Sequence, residues 1–200
     1  MSTAVPRRES EARRRILDTA TALFYADGVH AVGIDRIIAE AGVAKATFYH
    51  HFPAKDELVL AYIQEQSRLG QAAIVALDHR PPRDIILAIF DLIADAAAKP
   101  GYRGCPFINA AAEYPDPASP VRQAIDRHRR GKRDLLRRLL KEDGHDDPDR
   151  TADYLTVLGD GLLIASELDE PAHLRAFIRD AVTLALDAPP RAKRTRARAQ

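Results

Sequence analysis

Apolar side chains recur along this chain at the three- and four-residue spacing that gathers them on one side of an α-helix. Residues 11–27 place Ile16, Leu17, Ala20, Leu23 and Phe24 in one such stripe, with Ser10 as N-cap and Gly28 as the stop. Ile34, Ile37, Ile38 and Ala41 predict a two-turn helix closed by Gly42 in a left-handed turn. A second short helix fits Ala44 to Phe52, with Phe48 and Phe52 turned inward. From Leu58 to about Asp78, Leu60, Ile63, Leu69, Ala73, Ala76 and Leu77 predict one long helix ended by Pro81-Pro82. Asp84 can cap the next, which carries Ile85, Ile86, Ile89, Phe90 and Ile93. A tight loop from Lys99 to Asn109 enters a short helix through Ala110, Ala111 and Ala112. Pro115, Pro117 and Pro120 then break the chain before a helix from about Val121 to Lys141. The last two helices begin at Pro148 and Pro171, residues suited to a first turn.

Composition agrees with this pattern. Alanines number 35 against 31 β-branched residues, which favours helix over sheet, and the prolines fall between the periodic stretches. The expected fold class is all-α. Two hundred residues suit one ordinary domain plus a small module. No apolar run approaches the ~20 residues of a membrane helix, and the N-terminus has no signal-peptide core, so a soluble cytoplasmic protein is expected. Cys105 is alone, which argues against disulfides and against a cysteine-based metal site. No metal-ligand spacing, Gly-rich phosphate loop or Ser-His-Asp order appears, and no cofactor or metal is expected.

Two short helices joined by a Gly-containing turn form a helix-turn-helix unit, over about residues 33–52. Lys45, Thr47, Tyr49 and His50 fall on the outer faces of its second helix, and no acid occurs from Lys45 to His51. Such a surface can enter a groove lined with phosphate. Short amphipathic helix pairs also serve as plain packing units, so the pattern alone leaves DNA binding and packing open. Net charge does not separate them: residues 1–60 carry eight basic and eight acidic side chains. Arg13, Arg14 and Arg15, near the start of the first helix, fit either a solvated face or an approach to an external anion.

One stretch carries a resemblance. Gly28-Val29, Gly33-Ile34, Ile37, the run from Ala41 to Phe52 and Lys55-Asp56-Glu57-Leu58 together resemble the N-terminal domain of the TetR (tetracycline-repressor-like) family. The resemblance covers roughly residues 10–60. It implies a three-helix DNA-binding domain with a helix-turn-helix and a larger C-terminal helical domain for ligand binding and dimerisation. It makes Gly33, Arg36, Ala44, Lys45, Thr47, Tyr49, His50 and Lys55 the DNA-binding set. Ala44 and Lys45 would open the recognition helix against phosphate or a base edge. Thr47, Tyr49 and His50 would form the reading surface, and Lys55 would clamp the backbone. Val32 and Gly33 stand where the family usually has Thr or Ser, Ile38 where it prefers Ala, and Ala46 where Gly is common. The expected organisation is 10–70 for DNA binding and 71–188 for effector binding and dimerisation, with 189–200, Pro189-Pro190 followed by a run rich in Arg and Ala, as a disordered basic tail.

The resemblance also implies a homodimer on a palindromic operator, released by a small-molecule effector. Candidate effector contacts are Phe90, Tyr102, Cys105, Phe107, Asn109, His128 and Tyr154, whose paucity of charge suggests an apolar or aromatic ligand. Plain packing is the other reading of each, and Cys105 is either a thiol sensor or a small apolar filler. Leu158, Gly161, Leu162, Ala165, Phe177, Ile178 and Ala181 are the candidate dimer contacts; the same small residues also suit packing inside one subunit. Residues 121–141 hold nine basic side chains and two acidic ones, read here as a solvated face rather than a second DNA surface. The competing functions are an all-α enzyme or redox protein using Cys105, His128, Glu113 or Asp116, and a helical adaptor that binds only protein.

Overall fold

The computed structural model describes residues 10–77, 79–169 and 173–188. Its helices are α1 (Glu11–Asp27), α2 (Ile34–Ala41), α3 (Lys45–His51), α4 (Lys55–Val75), α5 (Pro82–Ala97), α6 (Pro106–Glu113), α7 (Pro120–Glu142), α8 (Pro148–Leu168) and α9 (Leu174–Leu186). No strand occurs among the described residues, and no helix there is long and apolar enough to cross a membrane.

Caps set most of the boundaries. Ser10 Oγ accepts the Arg13 N–H at 3.4 Å and opens α1. Gly28, at φ 89°, turns the chain out of α1 while its N–H satisfies the Phe24 carbonyl at 3.1 Å. Gly42 ends α2 in the left-handed region at φ 61°. Asp147 caps α8 with Pro148 in the first turn. Two expectations shift. Helix α4 starts at Lys55 rather than Leu58, with Asp56 and Glu57 favoured by the positive end of its dipole. In α5 the cap position belongs to Pro81, and Asp84 lies inside the first turn. Pro171 and the 189–200 tail lie outside the described residues.

The described residues fall into two compact units, each drawn from two stretches of the chain. One comprises residues 10–75 and 101–129, the other the described residues of 76–100 and 130–188. The first is built on a single core joining Ile16, Phe24, Val32, Ile37, Phe48, Phe52, Leu58 and Tyr62 to Phe107, Ala110, Val121 and Ile125. Helix α6 and the start of α7 therefore complete the hydrophobic interior of the N-terminal unit. The division follows burial: Phe107, Val121 and Ile125 cover apolar surface that α1–α4 leave open.

In the second unit α5, α8 and α9 pack on one another with the later part of α7, burying Ile86, Phe90, Leu136, Leu140, Leu155, Ile178 and Val182. Ion pairs border that core. Asp91 on α5 takes both Arg175 and Arg179 of α9, and Arg83 reaches Asp187. Arg133 and Arg137 of α7 pair with Asp153 and Asp149 of α8. Much of the basic charge of α7 is thus spent on neighbouring carboxylates.

Candidate nucleic-acid interface

Helix α3 is held by its apolar side. Phe48 is fully buried, Phe52 follows at the C-cap position, and their rings lie 6.3 Å apart. That anchorage turns the rest of the helix outward. Ala44, Lys45 and His50 are exposed, Tyr49 keeps 40% of its surface in solvent with its ring edge-on to Phe48, and Thr47 is half-buried. No carboxylate belongs to α3; the nearest engaged one is Asp35 of α2, 3.3 Å from Lys45 Nζ. Both partners of that pair are largely exposed, so it holds the lysine only weakly. Arg36 is committed more firmly. Its guanidinium bonds Glu40 at 2.8 Å and Asp27 at 2.6 Å, and these carboxylates, Glu40 first, hold its charge. Gly33 is exposed at the start of α2, which has no side-chain cap.

Several supporting contacts were not visible in the sequence because they join distant segments. Ser10 Oγ lies 3.2 Å from His51 Nε2, so the residue that caps α1 also touches the end of α3. The Arg13 guanidinium stacks 4.9 Å from the Phe52 ring centroid, which places one of the three consecutive arginines beside the end of α3. Arg14 turns away to Asp18 and Glu65. Arg68 and Arg14 together hold the Glu65 carboxyl down to about 2. Lys55 sits with its ammonium 6.0 Å from the Phe24 ring centroid. Desolvation pulls its pKa down, against the fields of Glu113 and Asp56.

Helix α6 grips the same unit at both of its ends. Tyr25 of α1 donates its hydroxyl to the Gly104 carbonyl at 3.0 Å and accepts the Arg103 N–H at 2.9 Å. Asn109 closes this loop by donating to the Arg103 carbonyl at 2.7 Å. At the other end Glu113 accepts the N–H groups of Val29 and His30 at 2.8 and 2.5 Å. Tyr114 donates to Asp56 at 2.8 Å, and burial, then this bond, pushes its phenol pKa up. Asp116 accepts the Ala118 N–H at 2.8 Å.

The effector candidates separate. Phe107 and His128 come together, stacked at 3.6 Å and 8°, with His128 Nδ1 3.1 Å from Ser67 Oγ. Tyr102, Cys105 and Asn109 lie in the same unit, partly buried, with Asn109 occupied by Arg103. Phe90 belongs to the other unit, where its ring edge lies 3.3 Å from where a Cβ on Gly159 would stand. Tyr154 does not face an interior: half of its surface is in solvent and Arg150 lies over its ring. Among the described residues no three His, Cys, Asp or Glu side chains gather to hold a metal.

The dimer candidates separate as well. Leu162 and Ile178 are buried in the core of their own unit, so their burial is already accounted for. Phe177 and Gly161 are exposed, and Leu158, Ala165 and Ala181 are half-buried. The outward row on α8 also holds Val157, Ile164 and Leu168, and α9 adds Leu184 beyond Phe177. In sequence Val157, Ile164 and Leu168 are not set apart, because the stripe of α8 that faces its own core is just as regular.

A buried-aromatic anchor, a short outward helix without acids and a larger helical body define a helix-turn-helix regulator. Comparison with known proteins agrees. Residues 16–62 match the profile of bacterial regulatory proteins of the tetR family, and residues 82–181 match the tetracycline-repressor-like C-terminal domain. The crystal structure of a TetR-family transcriptional regulator from Streptomyces coelicolor is similar at 42% identity and a TM-score of 0.84, covering 88% of this chain and 94% of that one. The transcriptional activator FasR of Mycolicibacterium smegmatis is 35% identical over 122 residues, 58% of this chain and 54% of its own length. The transcriptional repressor NemR of Escherichia coli is 27% identical over 137 residues, 66% of this chain and 69% of its own. The chain thus spans about half the length of FasR. This chain belongs to the TetR family.

Proposed function

We propose that this protein is a cytoplasmic, sequence-specific regulator of transcription that binds double-stranded DNA, acting as a repressor released by a small molecule. The observation that carries the reading is α3: an acid-free helix, fixed by Phe48 and Phe52, with Lys45, Tyr49 and His50 exposed. Thr47 borders that face, and Ala44 and Lys45 open it. Lys55 supports the backbone from the start of α4, and Gly33 and Arg36 approach from α2. Arg36 reaches DNA only by exchanging its carboxylate partners for phosphate.

A helix of this length spans few bases, so two copies are needed for a long operator. The outward apolar rows of α8 and α9, with Gly161, Ala165, Phe177 and Ala181 among or beside them, support a homodimer. A two-fold pair would read half-sites ~34–36 Å apart or a multiple of it. The stacked Phe107–His128 pair supports an apolar or aromatic effector. The sign of regulation rests on the family resemblance alone, since FasR is named an activator and NemR a repressor.

Selection of bound duplexes from a random pool tests the proposal. A palindromic consensus whose binding weakens steeply with salt is the expected result. Failure to enrich any sequence at low ionic strength overturns it.

A further inference from the structure

Glu113 occupies an unusual place. It is the last residue of α6, and both its carboxylate oxygens are taken by consecutive backbone N–H groups, Val29 and His30, just beyond the C-terminus of α1. The carbonyl end of a helix repels an anion, so its dipole gives this carboxylate nothing. Nor can the carboxylate cap the helix end, whose open groups are carbonyl acceptors; there the Gly28 N–H satisfies the Phe24 carbonyl. Direct bonds to the two amides keep it there. The fit is close: a Cβ on Gly28 would stand 3.3 Å from Glu113 Oε1. The neighbouring Tyr114 extends the grip by bonding Asp56 in the first turn of α4 and lying 5.5 Å, ring to ring, from His30.

The amides that Glu113 holds open the segment leading into α2, and α2 leads through Gly42 into α3. Between them Val29 and Val32 are buried, but the backbone of this turn has no helix or strand ladder to fix it. Glu113 supplies that fixing from a distant part of the chain.

We propose that Glu113 is a positioning residue for DNA reading: its carboxylate, bound to the Val29 and His30 amides, sets where α2 and α3 lie against α1 and α4 without itself touching DNA. This rests on the DNA-binding reading above. It also fits the field of Glu113 at Lys55, which favours the ammonium that the family resemblance assigns to the DNA backbone.

The test uses the full chain and a duplex selected from a random pool by the wild-type protein. Glu113→Gln keeps the shape but sets an amide NH2 against a backbone donor; Glu113→Ala removes the contact. Both variants should bind the selected duplex roughly three- to thirtyfold more weakly. The loss should be equal on every single-base variant of the site, and the dependence on salt should be unchanged, since no phosphate contact is removed. Amide hydrogen exchange supplies the second readout. Exchange at Val29 and His30 should accelerate in both variants while Ile16, Leu17 and Leu23 in α1 stay as in wild type.

Wild-type affinity in both variants overturns the proposal. So does an affinity loss in which the α1 amides accelerate as much as Val29 and His30, because that reports general loosening. Should the alanine variant not fold, the glutamine variant carries both readouts. If the wild-type protein selects no duplex, the regulator reading fails, and unchanged exchange at Val29 and His30 would separately refute the clamp.

Discussion

Gly28→Ala is the most exposing perturbation of the N-terminal unit, because two separate features oppose a side chain there. The backbone at φ 89°, ψ 156° lies where residues other than glycine are strained by about 1–3 kcal/mol. The added methyl would also stand 3.3 Å from Glu113 Oε1, closer than ordinary contact. The carboxylate tip can retreat a few tenths of an ångström, but only by lengthening its 2.8 Å bond to Val29. A charged hydrogen bond of this kind is worth ~1.5–3 kcal/mol when lost outright, so partial lengthening takes a fraction of that. The stiffer unfolded chain returns ~0.4–1 kcal/mol. The net loss is about 1–3 kcal/mol, a drop of roughly 2–12 °C in Tm for a chain of this size. Thermal unfolding followed by circular dichroism measures it, with two comparisons. Gly42→Ala, left-handed at φ 61° but with no atom within 4 Å, should lose less, about 0–1 kcal/mol. Gly70→Ala, inside α4 and equally unobstructed, should gain up to ~1 kcal/mol. A Gly28→Ala protein as stable as wild type would refute the reasoning.

Four further outcomes are expected. Lys45→Ala should weaken binding to all duplexes alike and reduce the salt slope by ~1, whereas His50→Ala should alter discrimination at one base pair by ~1–3 kcal/mol; titrations on operator variants separate the two. Gly159→Ala should destabilise the second unit, because its Cβ would meet Lys132 Nζ at 3.2 Å and the buried Phe90 ring at 3.3 Å, and overpacking of ~1–3 kcal/mol exceeds the ~1 kcal/mol helix gain; Gly131→Ala, inside α7 with open space around it, should show the gain alone in chemical denaturation. Phe177→Glu should convert a dimer to monomers in sedimentation, since a charge would replace an exposed apolar contact. Glu65 is held down to about 2 in the folded chain against ~4.3 unfolded, so its stabilisation is complete above about pH 5 and fades as pH falls towards 2. The stability difference between wild type and Glu65→Gln should therefore shrink across that window, and a constant difference would show that the pairing with Arg68 and Arg14 contributes nothing.

The helices were legible because their signals are local. The Ile16-to-Phe24 stripe, the Gly42 turn and the Phe48–Phe52 spacing each lie within two or three turns of chain, and the structure follows them to within a few residues. The exposed, acid-free face of α3 was legible for the same reason. What the sequence concealed depends on chain separation. Glu113 meets Val29 and His30 across more than eighty residues, and nothing in the pattern around either end announces the meeting. Arg13 on Phe52 and Ser10 at His51 were hidden likewise. On α8 the difficulty was different: Leu162 and Ile164 are neighbours in an apolar run, and only packing decides that the first is buried and the second exposed. Packing alone likewise decides that Tyr154 keeps half of its surface in solvent.

The discontinuous make-up of the N-terminal unit carries a consequence for biogenesis. A ribosome that has just released residue 75 has made α1 to α4, but not Phe107, Ala110, Val121, Ala124 or Ile125, which share their interior. Until those emerge, apolar faces of α1 and α4 remain wet, and loop closure across the intervening stretch delays their covering. A nascent or truncated chain ending near residue 75 should thus be helical yet loosely packed, maturing only after residue 129 has left the exit tunnel.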